Sequence, residues 1–313
     1  MHQPVLVKEV LDNLVTENSR IIVDATVGTG GHAQAILSRY PVRLIGLDRD
    51  LNALQIARKR LARYKDRIGL TQLRFSQIGE YLAGRKIKEI SGFLFDLGLS
   101  SLQLDTPERG FSFQAEGFLD MRMDQSQSKS AFEVINHYPV SQLSRIFLQY
   151  GQERFSKRIA RAIVHQRNKN PISTTTQLKE VVESVIYPPF RIKSLARVFQ
   201  AIRIEVNDEL DQLKEGLDQA IPLLMPGGRL CAISYHSLEH QLIKSKLKRE
   251  SRGCICPPRL PVCVCGAQAT LKIITPRPLA PSPEERRSNP RSRSARLWAA
   301  EKLEPRTISK RVR

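Results

Sequence analysis

Residues Ile21-Ile22-Val23-Asp24-Ala25-Thr26-Val27-Gly28-Thr29-Gly30-Gly31-His32 pass from a short apolar run into a glycine-rich turn, and Ala33–Leu37 continues with a helical pattern. This strand–turn–helix unit constrains the fold more than any other stretch. Glycine reaches backbone conformations closed to other residues and lets the main chain approach a ligand closely. Two further apolar runs, Leu44–Leu47 and Phe93–Phe95, also end in acids, Asp48 and Asp96. Strand-like and helical runs alternate from about residue 20 to 104. That rhythm predicts an α/β fold with a parallel sheet and helices on both faces. Asp24, Asp48 and Asp96 then sit at the strand ends where such sheets bind ligands.

The alternation stops after Asp105. Residues 106–125 form a Gly- and Phe-punctuated loop, too long for an idle connection. Helical patterns follow to about residue 219. In 153–168, Phe155, Ile159 and Ile163 recur every four residues, with Arg154, Arg158, Arg161 and His165 as a basic stripe beside them. That stripe is either a solvated face or a phosphate-contacting one. Ser173 and the threonines after it read as a cap for a helix through Val185. Residues 4–15 read as an amphipathic helix. The sheet resumes at Pro226-Gly227-Gly228, entering a strand that ends at Ser234-Tyr235-His236-Ser237. Leu271–Ile274 and Ser294–Trp298 are further strand candidates, and 276–293 reads as extended. The expected organisation is a sheet domain of residues 1–105 and 206–303, an inserted helical, substrate-binding domain of 106–205, and a basic tail of 304–313.

The net charge of +19 is unevenly placed. Residues 251–313 carry 14 Lys/Arg against 4 Asp/Glu, and residues 151–205 carry 11 against 4. Two basic regions beside a near-neutral remainder imply a polyanionic partner, most simply nucleic acid. No apolar run reaches the ~18 residues that span a bilayer, and no signal-peptide pattern opens the sequence, so a cytoplasmic protein is expected. Four of the five cysteines, Cys254, Cys256, Cys263 and Cys265, fall within twelve residues. Their C-x-C spacing departs from the usual zinc knuckle, so they either hold a structural zinc or stay as thiols. Cys231 lies in an apolar run and reads as a core thiol.

Gly28-Thr29-Gly30-Gly31-His32-Ala33 formally fits a dinucleotide fingerprint, which leaves NAD open. Asp24, just before the turn, favours S-adenosylmethionine. It would repel a pyrophosphate and attract a cationic amino-acid group. Asp96-Leu97-Gly98-Leu99-Ser100-Ser101 offers polar groups where a methyl acceptor would lie.

Ordered blocks extend through the chain: Pro4-Val5-Leu6, Asp48-Arg49-Asp50, Arg109-Gly110-Phe111-Ser112-Phe113, Leu119-Asp120-Met121-Arg122-Met123-Asp124, Gly151-x-Glu153-Arg154-Phe155, Phe199-Gln200-Ala201-x-Arg203, Ser234-Tyr235-His236-Ser237-Leu238-Glu239 and Asn289-Pro290-Arg291-Ser292. With these the chain resembles the bacterial 16S ribosomal RNA cytosine-N4 methyltransferases along nearly its whole length. The resemblance implies a class I methyltransferase (Rossmann-like) sheet domain with an inserted all-helical domain. It implies S-adenosyl-L-methionine as donor and a cytidine N4 amine of 16S rRNA, within the small ribosomal subunit, as acceptor. It also implies cofactor contacts by Gly30, Gly31, His32, Asp48, Phe75, Asp96 and Gln103. The cysteine cluster is not inherited from the family pattern, and Asp96-Leu97-Gly98-Leu99 replaces the Pro-Pro-aromatic tetrapeptide of other amino methyltransferases. Catalytic detail therefore does not carry over from those enzymes.

A cytosine amine is a poor nucleophile because its lone pair is delocalised, so a hydrogen-bond acceptor beside it is expected. Asp96 is the first candidate, unless it is taken up with the cofactor. His236, after a strand, and Asp120, which with Asp124 flanks Arg122 and could instead brace the loop, are the others. A non-enzymatic RNA-binding assembly factor and a dehydrogenase are the rival readings. The first needs none of the strand-end acids, and the second leaves the basic surface unexplained.

Overall fold

The computed structural model describes residues 4–253, 256, 265 and 267–304. The apolar runs become seven strands of one sheet: β1 (Ile21–Asp24), β2 (Arg43–Asp48), β3 (Ile68–Gln72), β4 (Ile90–Asp96), β5 (Leu224–Ser234), β6 (Leu271–Ile273) and β7 (Arg296–Lys302). Their order is β3-β2-β1-β4-β5-β7-β6. The pairs among β1–β5 are parallel, while β7 runs antiparallel to both β5 and β6. This is the class I methyltransferase sheet that the resemblance implied. The chain winds one way through β1, β2 and β3 and the other way through β4 and β5. The order therefore reverses between β1 and β4, the place where sheets of this kind bind ligands at their carboxyl ends.

Alternation along the strands decides what each face buries. Ile22, Leu44, Leu94, Cys231, Ile233, Leu297 and Ala299 enter one core with α1 (Val7–Leu14), α2 (Gly31–Arg39) and α3 (Leu51–Arg60). Val23, Phe93, Phe95, Leu230, Ala232, Trp298 and Ala300 enter the other, with α4 (Ile78–Gly84), α11 (Glu209–Leu223) and α12 (Ser237–Glu250). Successive strand residues point to opposite faces, so a nearly continuous apolar run serves both cores. Phe93 and Phe95 are fully buried, and each contributes roughly 1.5–3 kcal/mol by leaving water. Cys231 is buried in the core as expected, and burial pushes its thiol up to about 12.

The stretch 276–293 differs from its extended reading. It contains α13 (Pro283–Ser288) and a tight turn at Pro290–Ser292. Ser282 caps this helix by accepting from Glu285 N, Pro283 stands in the first turn, and Glu284 and Glu285 follow it. A proline at that position loses no helical hydrogen bond, and acids there meet the positive end of the helix dipole. The expected basic tail, apart from Glu304, lies outside the described residues, as do Cys254 and Cys263. Among the described residues no helix is long and apolar enough to cross a membrane.

Residues Leu99–Asp211 form a compact unit separate from the sheet unit, which takes in the chain up to Gly98 and from Gln212 onward. Its helices are α5 (Ser101–Asp105), α6 (Ala131–His137), α7 (Val140–Gln149), α8 (Ser156–Arg167), α9 (Thr175–Val185) and α10 (Arg191–Asn207). Phe147, Ile159, Ile163, Val198 and Ile202 lie at the centre of one continuous core. Thr174 starts α9 with a reciprocal cap to Gln177. The long loop is fastened by polar contacts. Asn207 Nδ2 donates to Met121 O at 2.7 Å while its Oδ1 accepts from Met123 N at 2.8 Å, and Arg109 Nη2 donates to Arg122 O at 2.9 Å. Phe147 is wholly buried in this core. Phe147→Ala is expected to cost about 3–5 kcal/mol in urea unfolding of the full chain. A loss below ~1 kcal/mol would show that this core does not hold the helices together.

Candidate active site

Asp24 ends β1 with Gly46 of β2 and Leu94 of β4 as its register partners. It is buried, and its carboxylate accepts a hydrogen bond from Thr26 N at 3.2 Å. The turn beyond it depends on two left-handed glycines, Gly28 at φ 52° and Gly30 at φ 85°. A Cβ on Gly30 would stand 2.8 Å from Leu61 Cδ1, so the position has neither the conformation nor the room for a side chain. Asp48, at the end of β2, ties this turn down. Its Oδ2 accepts from Gly28 N at 2.7 Å and its Oδ1 from Asp50 N at 2.8 Å. Asp50 in turn caps α3. The strand-end acid thus shapes the glycine turn.

Asp96 ends β4 and is held from three sides. Tyr235 OH donates to its Oδ1 at 2.9 Å, Gly98 N reaches the same oxygen at 3.5 Å, and His32 Nε2 lies 3.3 Å from Oδ2. Its own N–H donates to Thr26 Oγ1 at 2.6 Å. His32 is buried in the first turn of α2, and neither ring nitrogen makes a well-aligned hydrogen bond. Its approach to Asp96 is therefore an electrostatic contact more than a directed bond. Gly98 has no room for a side chain, because a Cβ would meet the Tyr235 ring at 2.8 Å.

Electrostatics separate the acids. Burial pushes Asp24 up to about 7, against the opposing pull of His32. Burial also raises Asp48, against two backbone donors. Asp96 feels the same desolvation, yet His32 and Tyr235 hold it below the ordinary carboxylate range. Burial alone would lower His32, but Asp96 raises it above its usual value. Tyr235 is pushed well above its usual value by burial and by Asp96. Near neutral pH this gives an ionised Asp96 beside an imidazole that favours its charged form, and an Asp24 poised to ionise.

These features fit S-adenosylmethionine. A buried acid with one backbone donor is short of positive charge, and both ring nitrogens of His32 lack aligned partners. A pyrophosphate brought to three neighbouring carboxylates would be repelled, whereas a cationic amino-acid group would be attracted. At Gly28 the nearest atom to a built Cβ is 3.9 Å away, so the backbone there is open to close approach. Phe75, after β3, is partly buried and packs edge-on against Phe95 with ring centroids 5.9 Å apart. It offers an aromatic wall suited to an adenine face. Gly30, Gly31, His32, Asp48, Phe75 and Asp96 all lie in the sheet unit at or just after the carboxyl ends of its strands.

The remaining expected residues have visible structural work. Gln103 belongs to the helical unit, where its Oε1 accepts from Ser100 N at 3.1 Å in the reciprocal cap of α5. Asp120, in the same unit, grips Arg122 through Nε at 2.6 Å and Nη2 at 3.2 Å, the loop brace that was its alternative reading. His236 caps α12. Its Nδ1 accepts from Glu239 N at 3.4 Å, and its Nε2 lies 3.1 Å from Glu239 Oε1. Sequence reasoning missed Thr26 and Tyr235 as partners of Asp96. The signal for Tyr235 was its place one residue past a strand that pairs directly with β4.

Asp24 has a raised folded value, so its contribution to stability is full below the unfolded carboxylate range and is lost as pH rises through about 7. Asp24→Asn removes that loss. The variant is expected to gain thermal stability relative to the native chain between pH 5 and pH 8, by on the order of 2 kcal/mol without cofactor. A difference that stays constant with pH would mean that Asp24 is not the strained acid.

The profile of the MraW methylase family matches residues 1–303. A protein of Carboxydothermus hydrogenoformans named ribosomal RNA small subunit methyltransferase H is 49% identical over 304 residues, covering 96% of this chain and 98% of that one. Its namesake in Caldicellulosiruptor bescii is 47% identical over 305 residues, covering 96% and 99%. Another in Brevibacillus brevis is 45% identical over 307 residues, covering 96% and 98%.

Proposed function

The chain belongs to the MraW methylase family, and from that premise we propose how its carboxylate edge methylates the N4 amine of a cytidine in 16S rRNA. The protein is an S-adenosylmethionine-dependent rRNA methyltransferase. The observation that carries the reading is that the family match runs through the whole chain and includes the buried cluster of Asp24, His32 and Asp96. The helical unit, residues 99–211, is proposed as the substrate-binding part. The small ribosomal subunit, rather than free rRNA, is proposed as the form in which the target is met.

S-adenosylmethionine, when bound, supplies an electrophilic methyl group together with its own leaving group. The chain then needs no covalent nucleophile. Cys231 is ill suited to be one, being buried with its thiol pushed up to about 12. Gly30, Gly31, His32, Asp48 and Phe75 would hold the donor, and Asp24 would meet its cationic amino-acid end. Asp96 is proposed to accept a hydrogen bond from the cytidine amine. That contact localises the nitrogen lone pair and aims it. Such positioning alone is worth ~7–11 kcal/mol in favourable cases. An Asp96 held low by His32 and Tyr235 remains an acceptor at neutral pH and is ill suited to keep a proton. It therefore orients the amine, and the proton lost from the methylated nitrogen leaves to solvent.

The reaction is tested by transfer of labelled methyl to small-subunit particles and to naked 16S rRNA, followed by digestion to nucleosides. N4-methylcytidine is expected, with faster labelling of the particle. Label on a ring carbon or a ribose, or no transfer at all, would contradict the reading.

Asp96→Asn keeps the shape and removes the charge. A fall of roughly 100-fold or more in single-turnover methylation is expected, with RNA affinity little changed, because the lost contact matters most in the transition state. Normal turnover at saturating cofactor would reduce Asp96 to a cofactor ligand and make His236 or Asp120 the leading candidate.

A further inference from the structure

The helical unit displays aromatic side chains to solvent between cations. Tyr187, Phe190 and Ile192 are 65%, 41% and 75% exposed, and these three large apolar residues fall within one six-residue stretch. The turn at Pro188–Phe190, just before α10, presents them. It is stiffened by Pro188 and Pro189, by Phe190 N donating to Tyr187 O at 2.9 Å, and by Arg191 Nε donating to Ile186 O at 3.1 Å. Beside it, the Arg154 guanidinium lies 4.6 Å from the ring centre of Phe155 and 4.5 Å from that of Phe190. Arg158 lies 5.9 Å from the Tyr187 ring. Lys157, Arg158, Arg161 and Lys193 are exposed nearby in sequence, and neither 154–167 nor 187–204 contains an acid. The neighbouring Glu153 is buried, bound to Phe155 N at 2.8 Å and 3.6 Å from Arg197.

We propose that this Arg154–Phe155–Tyr187–Phe190 surface binds unpaired nucleotides of the RNA substrate, bases stacking on the rings and guanidinium planes while the cations of α8 meet phosphates. The proposal rests on the rRNA methyltransferase reading and adds the form of RNA this face selects. A duplex keeps its bases stacked inside and offers the protein backbone and grooves, so exposed rings give it nothing to bind. Unpaired bases present π-faces, and interleaved aromatics and arginines are the pattern that holds them. An apolar protein partner would require a contiguous apolar patch, whereas here the exposed rings alternate with cations. The proline-braced turn holds Tyr187 and Phe190 in place beforehand, which lowers the ordering cost of binding.

The test titrates the full chain with a labelled ten-nucleotide single-stranded oligoribonucleotide and with the same sequence as a duplex. Tyr187→Ala and Phe190→Ala are each expected to weaken single-strand binding by at least about fivefold while leaving duplex binding and the salt slope unchanged. Tyr187→Trp is expected to retain affinity, and its added indole fluorescence to be quenched by the oligonucleotide. Equal losses for both RNAs, or none, would overturn the proposal, as would alanine variants that change only self-association in sedimentation. Methyl transfer by the unaltered chain to small-subunit rRNA is followed in parallel. Transfer by the unaltered chain, with single-strand binding unmoved by the alanine variants, defeats the platform and leaves the enzyme reading standing. Absence of transfer defeats the enzyme reading, while the titration still reads the platform.

Discussion

Burying Asp24 between β2 and β4 sets the terms for everything at the carboxyl edge. A parallel sheet wound outward in both directions from β1 and β4 brings Asp24, Asp48 and Asp96 to one end. Three like charges there would repel one another, and the fold answers each differently. Asp48 is engaged by the backbone N–H groups of Gly28 and Asp50. Asp96 takes the Tyr235 hydroxyl and the nearness of His32. Asp24 is left with a single backbone donor and yields by favouring its proton. The resting cluster is thus short of one positive charge, and a cationic donor molecule supplies it. A site built this way selects its ligand by charge before shape enters.

The helical unit answers a different physical problem. The sheet unit consumes its apolar residues on two faces, whereas α6–α10 close around one core and leave a basic exterior. The loop from Pro107 to Asp124 is held by Arg109, Asn207 and the Asp120–Arg122 pair together with the burial of Phe111, Leu119 and Met121 in the helical core. The polar contacts fix the shape of a long segment whose apolar side chains enter that core. The arginines of α8 lie in a stretch, 154–167, that contains no acid of its own, so their field is not cancelled within it.

Much of this was legible in the sequence because periodicity and punctuation report local structure directly. The run Ile21–Asp24, its glycines and the helix after them gave the sheet's first unit, and acids ending apolar runs gave the carboxylate edge. Tyr235 was not legible as a partner of Asp96, because their contact depends on the β4–β5 register, which pairs Asp96 with Ile233. Nor was the bond from Gly28 to Asp48, which joins residues 20 positions apart. The α13 helix was hidden by composition. Its Ser-Pro-Glu-Glu start is a helix signal set in a Pro-, Ser- and Arg-rich stretch that reads as extended. His236 and Asp120 were visible as polar residues in suggestive places. Their engagement in a helix cap and a loop brace depended on neighbours that spacing alone does not rank.

When the donor binds, a half-protonated Asp24 becomes its counter-ion, and proton release measures this directly. S-adenosylmethionine binding should be followed by calorimetry at pH 7 in buffers of differing ionisation enthalpy. Release of about half a proton is expected at pH 7, fading by pH 9 and absent in Asp24→Asn. Binding with no proton exchange at any pH, or with the same release in Asp24→Asn, would contradict it.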